Sequence, residues 1–411
     1  MNLTALIIGL LLIVVVHELG HLVCGYLSGY ELVSFRFFYW AWIKDGSGRI
    51  RLTRSARQGS IVGQCLMEPI IGEKGFRFTL YLAGGGVANL IFCLLTLPLV
   101  FITQDDGLRL ILLALVLVLG YMGTKSLIPM SVGGLPNDGL NIREARKSID
   151  AEYGLYVMLR MNAEASRGRA FADYNADVFT VTEAADVNNF FVAYLLQLRS
   201  SRLEELGEYE KSYRLLVLPD PDKLPEYYCS RLVLSLVFHE LVYFGDALSI
   251  QRARDRLKDR EGDRAFQKLL TVSHPAFMPY QAAKAAFIDS DKDKARELID
   301  RTRLLNRFQL NPEEERSVSV MLYKLEARMR AVASEIRMDV DNRDATDNRD
   351  ATDSWDATDK QDATAKQDAT DKQDASSADD AVNTDYAVNT DDVDSADDAV
   401  NTEKTPNDSP S

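Results

Sequence analysis

Two histidines and a glutamate stand within five residues of a long apolar run near the start of the chain. The run reads LIIGLLLIVVVHELGHLVCGYLSGY from Leu6 to Tyr30, and it holds His17, Glu18 and His21. Ionisable side chains are costly in hydrocarbon and usually mark function. In a helix, His17 and His21 lie one turn apart on one face, so both imidazoles can bind one zinc ion. Glu18 lies about 100° around the helix, within reach of a water on that metal.

These residue types in this spacing predict a hydrolytic zinc site. Zinc lowers the pKa of water towards 7, and the glutamate accepts its proton and passes it to the leaving amine. The alternative is a polar cluster that only joins helices. A second stretch, FHELVYF, has His239 and Glu240, but Tyr243 replaces the second histidine. We interpret that stretch as a structural feature on a helix surface, because one imidazole does not make a zinc site.

Catalytic zinc needs a third protein ligand and an open fourth position. The other two histidines, His239 and His274, belong to a polar region far along the chain, which leaves a carboxylate for this role. Asp138, in GGLPNDGLN, follows the third apolar run at a break rich in proline and glycine. The sequence therefore predicts one Zn²⁺ per chain, held by His17, His21 and Asp138.

Three apolar runs are long enough to cross a bilayer as helices: residues 3–30, 76–102 and 108–130. The first lacks a basic start and a small-residue cleavage site, so we do not interpret it as a signal peptide. Seven Lys or Arg residues lie between residues 44 and 77 and three more between residues 143 and 147, whereas TQDDG between the second and third runs has none. Because positive loops stay cytoplasmic, we expect a multi-pass protein of the cell membrane with its N-terminus outside. The metal site then lies near the cytoplasmic face, and everything after residue 143 is cytoplasmic.

HELGH in the first run, AGGGVANL in the second and LIPMSVGGLPNDG after the third resemble, in this order, the motifs of the site-2 protease family. That family consists of intramembrane zinc metalloproteases. The resemblance covers residues 1–145 and implies a three-helix catalytic core. It also implies that His17, His21 and Asp138 are the zinc ligands and that Glu18 is the catalytic base.

The middle motif of that family is usually AGPxxN, and residues 84–89 align with it. Gly86 stands where the family has proline, and Asn89 matches the family's asparagine. Small residues let membrane helices approach closely, which explains the glycines without catalysis. Asn89 has two interpretations: it orients substrate or donates to the oxyanion, or it only bonds across helices.

Between the first two runs lies ELVSFRFFYWAWIKDGSGRIRLTR, where aromatic and β-branched residues flank a DGSG turn. This pattern predicts a β-hairpin. Phe38, Tyr39, Trp40 and Trp42 are typical of a membrane–water boundary. The family resemblance implies a membrane-associated hairpin that holds an extended substrate as an added strand, and the alternative is an interface anchor only.

Residues 146–338 have the pattern of amphipathic helices and predict a soluble α-helical domain. LEELGEYEKSYRLLVL and YQAAKAAFIDSDKDKARELIDRTRLL resemble half-motifs of tetratricopeptide-type repeats. Stacked helix pairs of that kind bind other chains, so this domain is either a docking surface for a protein partner or a cytoplasmic cap. Residues 339–411 hold a repeat that begins with DNRDAT, with 22 acidic and 6 basic residues. We expect a disordered acidic tail that acts as a spacer.

The fold class is therefore predicted to be mainly α: a polytopic membrane protein with three regions, residues 1–145, 146–338 and 339–411. The tail carries a net charge of −16 within the chain's −14, so the remainder is nearly neutral and shows no basic stripe for nucleic acid. The predicted function is cleavage of transmembrane or membrane-proximal segments of substrate proteins within the lipid bilayer. The alternative is a catalytically inactive membrane scaffold of the same fold that binds client proteins through its helical domain.

Overall fold

Three long apolar helices begin the structure: α1 (Leu3–Leu27), α2 (Phe78–Ile102) and α3 (Asp106–Leu127). Each is long and apolar enough to cross a membrane, which confirms three candidate spans. α1 ends before residue 30, because Gly29 adopts a left-handed φ of 82° and the chain turns into a strand. α3 ends before residue 130, because Ile128 precedes a proline and is extended.

The computed structural model describes residues 3–38, 40–44, 48–54, 63–70, 72–307 and 312–353. The chain divides into two units, residues 1–333 and residues 334–411. The predicted domain boundary between residues 145 and 146 therefore falls inside the first unit.

A four-stranded antiparallel sheet connects α1 to α2. Its strands are β1 (Tyr30–Phe37), β2 (Trp40–Lys44), β3 (Ile50–Arg54) and β4 (Gly63–Pro69), in the spatial order β3-β2-β1-β4. Lys44 pairs with Ile50 on the two sides of the DGSG sequence, so the predicted hairpin is confirmed as β2 and β3. The sheet is larger than predicted, because β4 adds to β1 from a distant part of the sequence.

Three of the four aromatic residues predicted for a membrane–water boundary lie among the described residues, and all three are accessible. Phe38, Trp40 and Trp42 are 42%, 51% and 36% exposed, and Tyr39 lies outside the described residues. An anchor at a membrane–water boundary requires exposed aromatic rings next to apolar helices, and these rings meet that requirement. Their location at such a boundary stays a prediction.

A short hairpin and a short helix follow α3. β5 (Ser131–Val132) and β6 (Leu135–Pro136) are joined by Gly133 and Gly134, whose φ angles are 60° and 84°. Positive φ at both central residues defines the type I′ turn of tight hairpins, which glycine adopts without strain. α4 (Asp138–Ala145) begins two residues after β6, so this turn fixes where Asp138 lies.

Helices make up most of the remaining described chain. They are α5 (Ile149–Ser166), α6 (Phe190–Glu205), α7 (Tyr209–Leu216), α8 (Glu226–Phe238), α9 (Ala247–Asp259), α10 (Arg264–Leu269), α11 (Met278–Phe287), α12 (Lys292–Asn306) and α13 (Pro312–Asp353). A π-helical segment, His239–Phe244, continues α8, and single 3₁₀ turns occupy Glu73–Gly75, Phe171–Asp173, Ala176–Phe179 and Pro221–Lys223. The pairs α6–α7 and α11–α12 pack together and contain the two segments that resemble tetratricopeptide half-motifs.

The second His-Glu pair lies in the interior of this helical region. His239 and Glu240 are 1% and 0% exposed, so their predicted location on a helix surface is wrong. His239 Nε2 lies 2.9 Å from the hydroxyl of Ser212, and Glu240 accepts hydrogen bonds from Tyr213 and Arg256 at 2.6 and 3.0 Å. These partners give both side chains a structural role. A short pattern could not show their burial, because burial depends on what packs against the helix.

The apolar core of residues 1–333 continues across the predicted boundary at residue 145. Tyr30 of β1 stacks on Phe76 with ring centroids 6.0 Å apart, and Phe76 meets Tyr156 of α5 edge to face at 5.3 Å. Glu68 of β4 also accepts a hydrogen bond from Arg167, at the end of α5, at 2.5 Å. The sheet and the helical region are thus packed against each other.

The helix α13 extends into the acidic repeat. It runs to Asp353, so the structure differs from the expectation of disorder over residues 339–353. The stretch DNRDATDNRDATD contains no glycine or proline, and an existing helix adds such residues without a new nucleation step. Residues 354–411 of the predicted tail lie outside the described residues.

Candidate metal centre

The imidazoles of His17 and His21 lie side by side on α1. Their Nε2 atoms are 3.2 Å apart, and their rings meet edge to face. The carboxylate of Asp138, at the start of α4, completes the group: its Oδ2 lies 3.4 Å from His17 Nε2 and 3.5 Å from His21 Nε2. The structure thus brings together the three residues that the sequence predicts as ligands, although Asp138 is far from the histidines in sequence.

The separations of these three donor atoms fit a zinc ion. Tetrahedral zinc with bonds of about 2.0–2.1 Å holds its ligand atoms roughly 3.3 Å from one another. Two imidazoles and a carboxylate are also a donor set that catalytic zinc uses. Among the described residues, His17, His21 and Asp138 are the group of this kind that could hold a metal ion.

Gly85 of α2 lies directly beside the donor atoms of the two imidazoles, where a larger residue would have no room. A Cβ at this position would lie 2.5 Å from His21 Nε2 and 2.7 Å from His17 Nε2, closer than real contacts allow. Only glycine therefore lets the backbone of α2 pass this close to the imidazoles.

The two glycines beside Gly85 let α1 and α3 pack closely against α2. A Cβ on Gly84 would lie 2.5 Å from the carbonyl oxygen of Gly20, so α1 and α2 touch through their backbones. On the other side, a Cβ on Gly86 would lie 2.7 Å from Leu127 of α3. Because α3 passes close to α2 at this point, a small residue is needed at position 86, where the family that the motifs resemble usually has proline.

The backbone of α2 fixes the protonation of His21. His21 Nδ1 lies 2.9 Å from the carbonyl oxygen of Tyr81. A carbonyl only accepts, so in the neutral ring Nδ1 carries the proton and Nε2 keeps its lone pair. Metal-binding histidines usually have such a partner on the other ring nitrogen. When neutral, His21 is therefore held in the orientation and the tautomer that a metal ligand requires.

Asn137 places Asp138. It is the N-cap residue of α4, and its side chain ties the end of α3 to the start of α4 through four hydrogen bonds. Its Oδ1 accepts from the backbone N–H groups of Met130 and Leu140, and its Nδ2 donates to the carbonyls of Lys125 and Ile128. Asparagine before a helical start is a recognised capping signal, so this role of Asn137 is one that the sequence could have indicated.

Two further contacts hold Asp138 in place. The hydroxyl of Ser126 donates to Asp138 Oδ2, and a Cβ on Gly139 would lie 2.2 Å from the carbonyl oxygen of Leu127. Burial acts to raise the pKa of Asp138, but the imidazoles of His21 and His17 outweigh it and hold that pKa below its ordinary value. The carboxylate is therefore ionised, as a metal ligand must be. No sequence signal points to Ser126.

Glu18 lies next to the donor group on α1 and faces β4. It is 8% exposed, and a Cβ on Gly63 would lie 2.9 Å from its Oε1. Burial, together with the nearby Glu18 carboxylate, raises the pKa of the Cys65 thiol to about 12. Cys65 therefore stays a neutral thiol at physiological pH.

Asn89 is completely buried, and its amide contacts His17. Its Nδ2 lies 3.3 Å from His17 Nδ1, the ring nitrogen on the side away from Asp138. The predicted contact of Asn89 with substrate or an oxyanion stays a prediction.

Comparisons of the chain with models of protein families, with curated proteins and with solved structures found no match.

The donor group leads to a direct prediction about metal content. Protein purified in detergent is expected to hold close to one zinc per chain, and His21→Ala is expected to lose it, because two donors bind zinc far more weakly than three. Elemental analysis of both proteins measures this. Equal metal in the two proteins would show that the ligand set is wrong.

Proposed function

We propose that this protein is an intramembrane zinc metalloendopeptidase that cleaves transmembrane or membrane-proximal segments of other proteins. The observation that carries the proposal is the convergence of His17, His21 and Asp138 within 3.5 Å of one another, beside Glu18. This group lies at a helix long and apolar enough to span a bilayer. The ordered resemblance of three motifs to the site-2 protease family supports the same function.

In this proposal the side chains at the metal centre have different roles. His17, His21 and Asp138 would hold the zinc ion, which when bound would supply a Lewis acid that activates water near neutral pH. Glu18 accepts a proton from the attacking water and delivers it to the nitrogen of the departing amine. The contact with β4 holds the carboxylate of Glu18 close to the ligands during both transfers.

The strand β4 is the proposed template for the substrate. It is an edge of the described sheet, since it pairs with β1 on one side only, and it contacts Glu18 at Gly63. A protease needs its substrate extended, and an edge strand binds extended peptide through backbone hydrogen bonds. A segment added beside β4 would bring its peptide bonds to Glu18.

The proposed orientation follows from the positive charges. The sheet and α4 lie beside the donor group at the C-terminal end of α1, and these described elements carry the basic residues Lys44, Arg51, Arg54 and Arg143. The positive-inside rule makes this the cytoplasmic end, with the N-terminus outside and the helical region in the cytoplasm. The helix pairs of that region are the proposed docking surface for a protein partner.

The test is cleavage by the full-length protein. Purified protein in lipid vesicles is incubated with a set of single-span membrane proteins, and the products are identified by mass spectrometry. We expect zinc-dependent cuts within or next to the membrane segment. If no substrate is cut while zinc is bound, the protease function is refuted.

The acidic tail is expected to be dispensable for cleavage. Its aspartate- and threonine-rich sequence lacks the apolar residues that build a site. A chain that ends at Met338 should therefore cut the same substrates at a rate within about twofold of the full chain.

A chain that ends at Asp353, the last residue of α13, is the matched control, because it removes the tail and keeps the helix. Loss of cleavage by both shortened chains, with normal folding and insertion, would show that the tail is more than a spacer.

A further inference from the structure

The histidine ligands have different partners on their second ring nitrogens. His21 Nδ1 has the carbonyl of Tyr81 as an acceptor at 2.9 Å, whereas His17 Nδ1 has the side-chain amide of Asn89 at 3.3 Å. Tyr81, Gly85 and Asn89 are spaced by four residues on α2, so they lie along one face of the helix. One face of α2 thus carries two partners for two imidazoles, with the space at Gly85 between them.

The orientation of the Asn89 amide determines which nitrogen of the neutral His17 ring carries the proton. If Nδ2 donates to His17 Nδ1, then Nδ1 is the bare nitrogen, and the neutral ring carries its proton on Nε2, which faces the donor group. If Oδ1 accepts from His17 Nδ1–H instead, Nε2 keeps its lone pair and is free to bind. A half-turn of the amide exchanges its two ends with little change of shape.

No described bond prevents that half-turn. The Oδ1 atom of Asn89 is buried and has no hydrogen-bond partner among the described residues. Asn89 is completely buried, so water does not compete for its amide. The one polar contact of its side chain within the described chain is therefore the one to His17.

We infer that Asn89 is a positioning residue that accepts a hydrogen bond from His17 Nδ1 and so holds His17 Nε2 ready for the metal ion. The inference rests on the proposed metal centre and assigns Asn89 a role other than binding substrate. Tyr81 does for His21, through its backbone, what Asn89 does for His17 through its side chain. Partners of this kind typically contribute about 10- to 100-fold in metal affinity.

The first test is the zinc affinity of three variants, measured by competition with a chelator in detergent. Asn89→Leu keeps the approximate size of the side chain and removes the acceptor, and it should bind zinc about 10- to 100-fold more weakly than wild type. Asn89→Asp keeps an acceptor at the same place and should bind within a few-fold of wild type. Cys93→Ala is the matched control, because Cys93 lies one turn further along α2 and contacts Val116 of α3 instead of the metal centre.

The thermal unfolding of the metal-free proteins separates positioning from packing. A packing role would lower the unfolding temperature of Asn89→Leu without a specific loss of zinc affinity. If Asn89→Leu binds zinc as tightly as wild type, the inference is overturned and the proposed function is untouched. If wild type itself binds no zinc, the metal centre and the inference both fail.

A measurement on wild type keeps the inference testable if Asn89→Leu does not fold. The chain has only four histidines, so long-range ¹H–¹⁵N NMR of protein labelled in its imidazoles can assign each ring. In the zinc-bound protein we expect the Nδ1 proton of His17 to resonate downfield and exchange slowly with water, as that of His21 should, because each donates to a buried oxygen. A His17 Nδ1 proton without the downfield shift and slow exchange would show that Asn89 accepts no hydrogen bond from His17, and the inference would be wrong.

Discussion

Replacing Glu18 with glutamine is expected to stop cleavage and to leave the metal content unchanged. Glutamine keeps the size of the side chain in the tight space beside Gly63 but has no basicity. It can neither accept a proton from water nor deliver one to the amine, and losing such a group typically lowers the rate by about 10²–10⁴. Zinc content, membrane insertion and substrate binding should match wild type. Substrate should therefore accumulate uncut on the variant, which cross-linking or co-purification measures.

Glu73→Gln is the control for this experiment, because Glu73 is an exposed carboxylate on the same side of the three helices and should change nothing. The same pair of variants separates the protease from the inactive scaffold of the same fold. If Glu18→Gln fully replaces wild type in cells that lack the protein, the function depends on binding and not on cleavage.

Replacing Gly85 with alanine is expected to remove both metal and activity. The new Cβ would lie 2.5 Å from His21 Nε2, so an imidazole or a helix has to move. A displacement of about 1 Å in a catalytic group commonly lowers the rate by about 10². Alanine is the better helix former, so a loss cannot be attributed to weaker helix propensity. Zinc content and the cleavage rate of the purified variant measure the effect.

Gly120→Ala on α3 is the matched substitution. A Cβ at Gly120 would lie 3.5 Å from the sulfur of Cys93, an ordinary contact, so this variant should keep zinc and activity. If Gly85→Ala keeps them equally well, the space between α2 and the imidazoles is not needed for metal binding.

The sequence predicts best those features that depend on neighbours along the chain. The helices over residues 3–27, 78–102 and 106–127 are candidate membrane spans, because their composition alone meets the length and hydropathy that a bilayer requires. His17 and His21 face one side because of the helical repeat. The sequence predicts Asp138 from its position after the third apolar run, where a carboxylate is the remaining type of ligand.

Features that depend on distant contacts could not be predicted in the same way. Strand β4 has no strong turn signal before it, and its pairing with β1 appears only in the fold. Gly84, Gly85 and Gly86 each lie against a different part of the structure. Three successive glycines in the sequence do not indicate which neighbour each one contacts. Asn137 is predictable as a cap, but its bonds to the end of α3 depend on the tight turn between them.

The continuous packing from β1 to α5 joins the segment before residue 145 to the helical region that follows it. Tyr30 and Phe76 belong to the segment that resembles a protease, yet they are covered by Tyr156, which follows it. A chain cut at residue 145 would expose these aromatic rings to solvent and remove the partner of Glu68. Residues 1–145 are therefore not an interchangeable unit, and an exchange of the helical region between proteins would have to include the surface of that region that contacts the sheet.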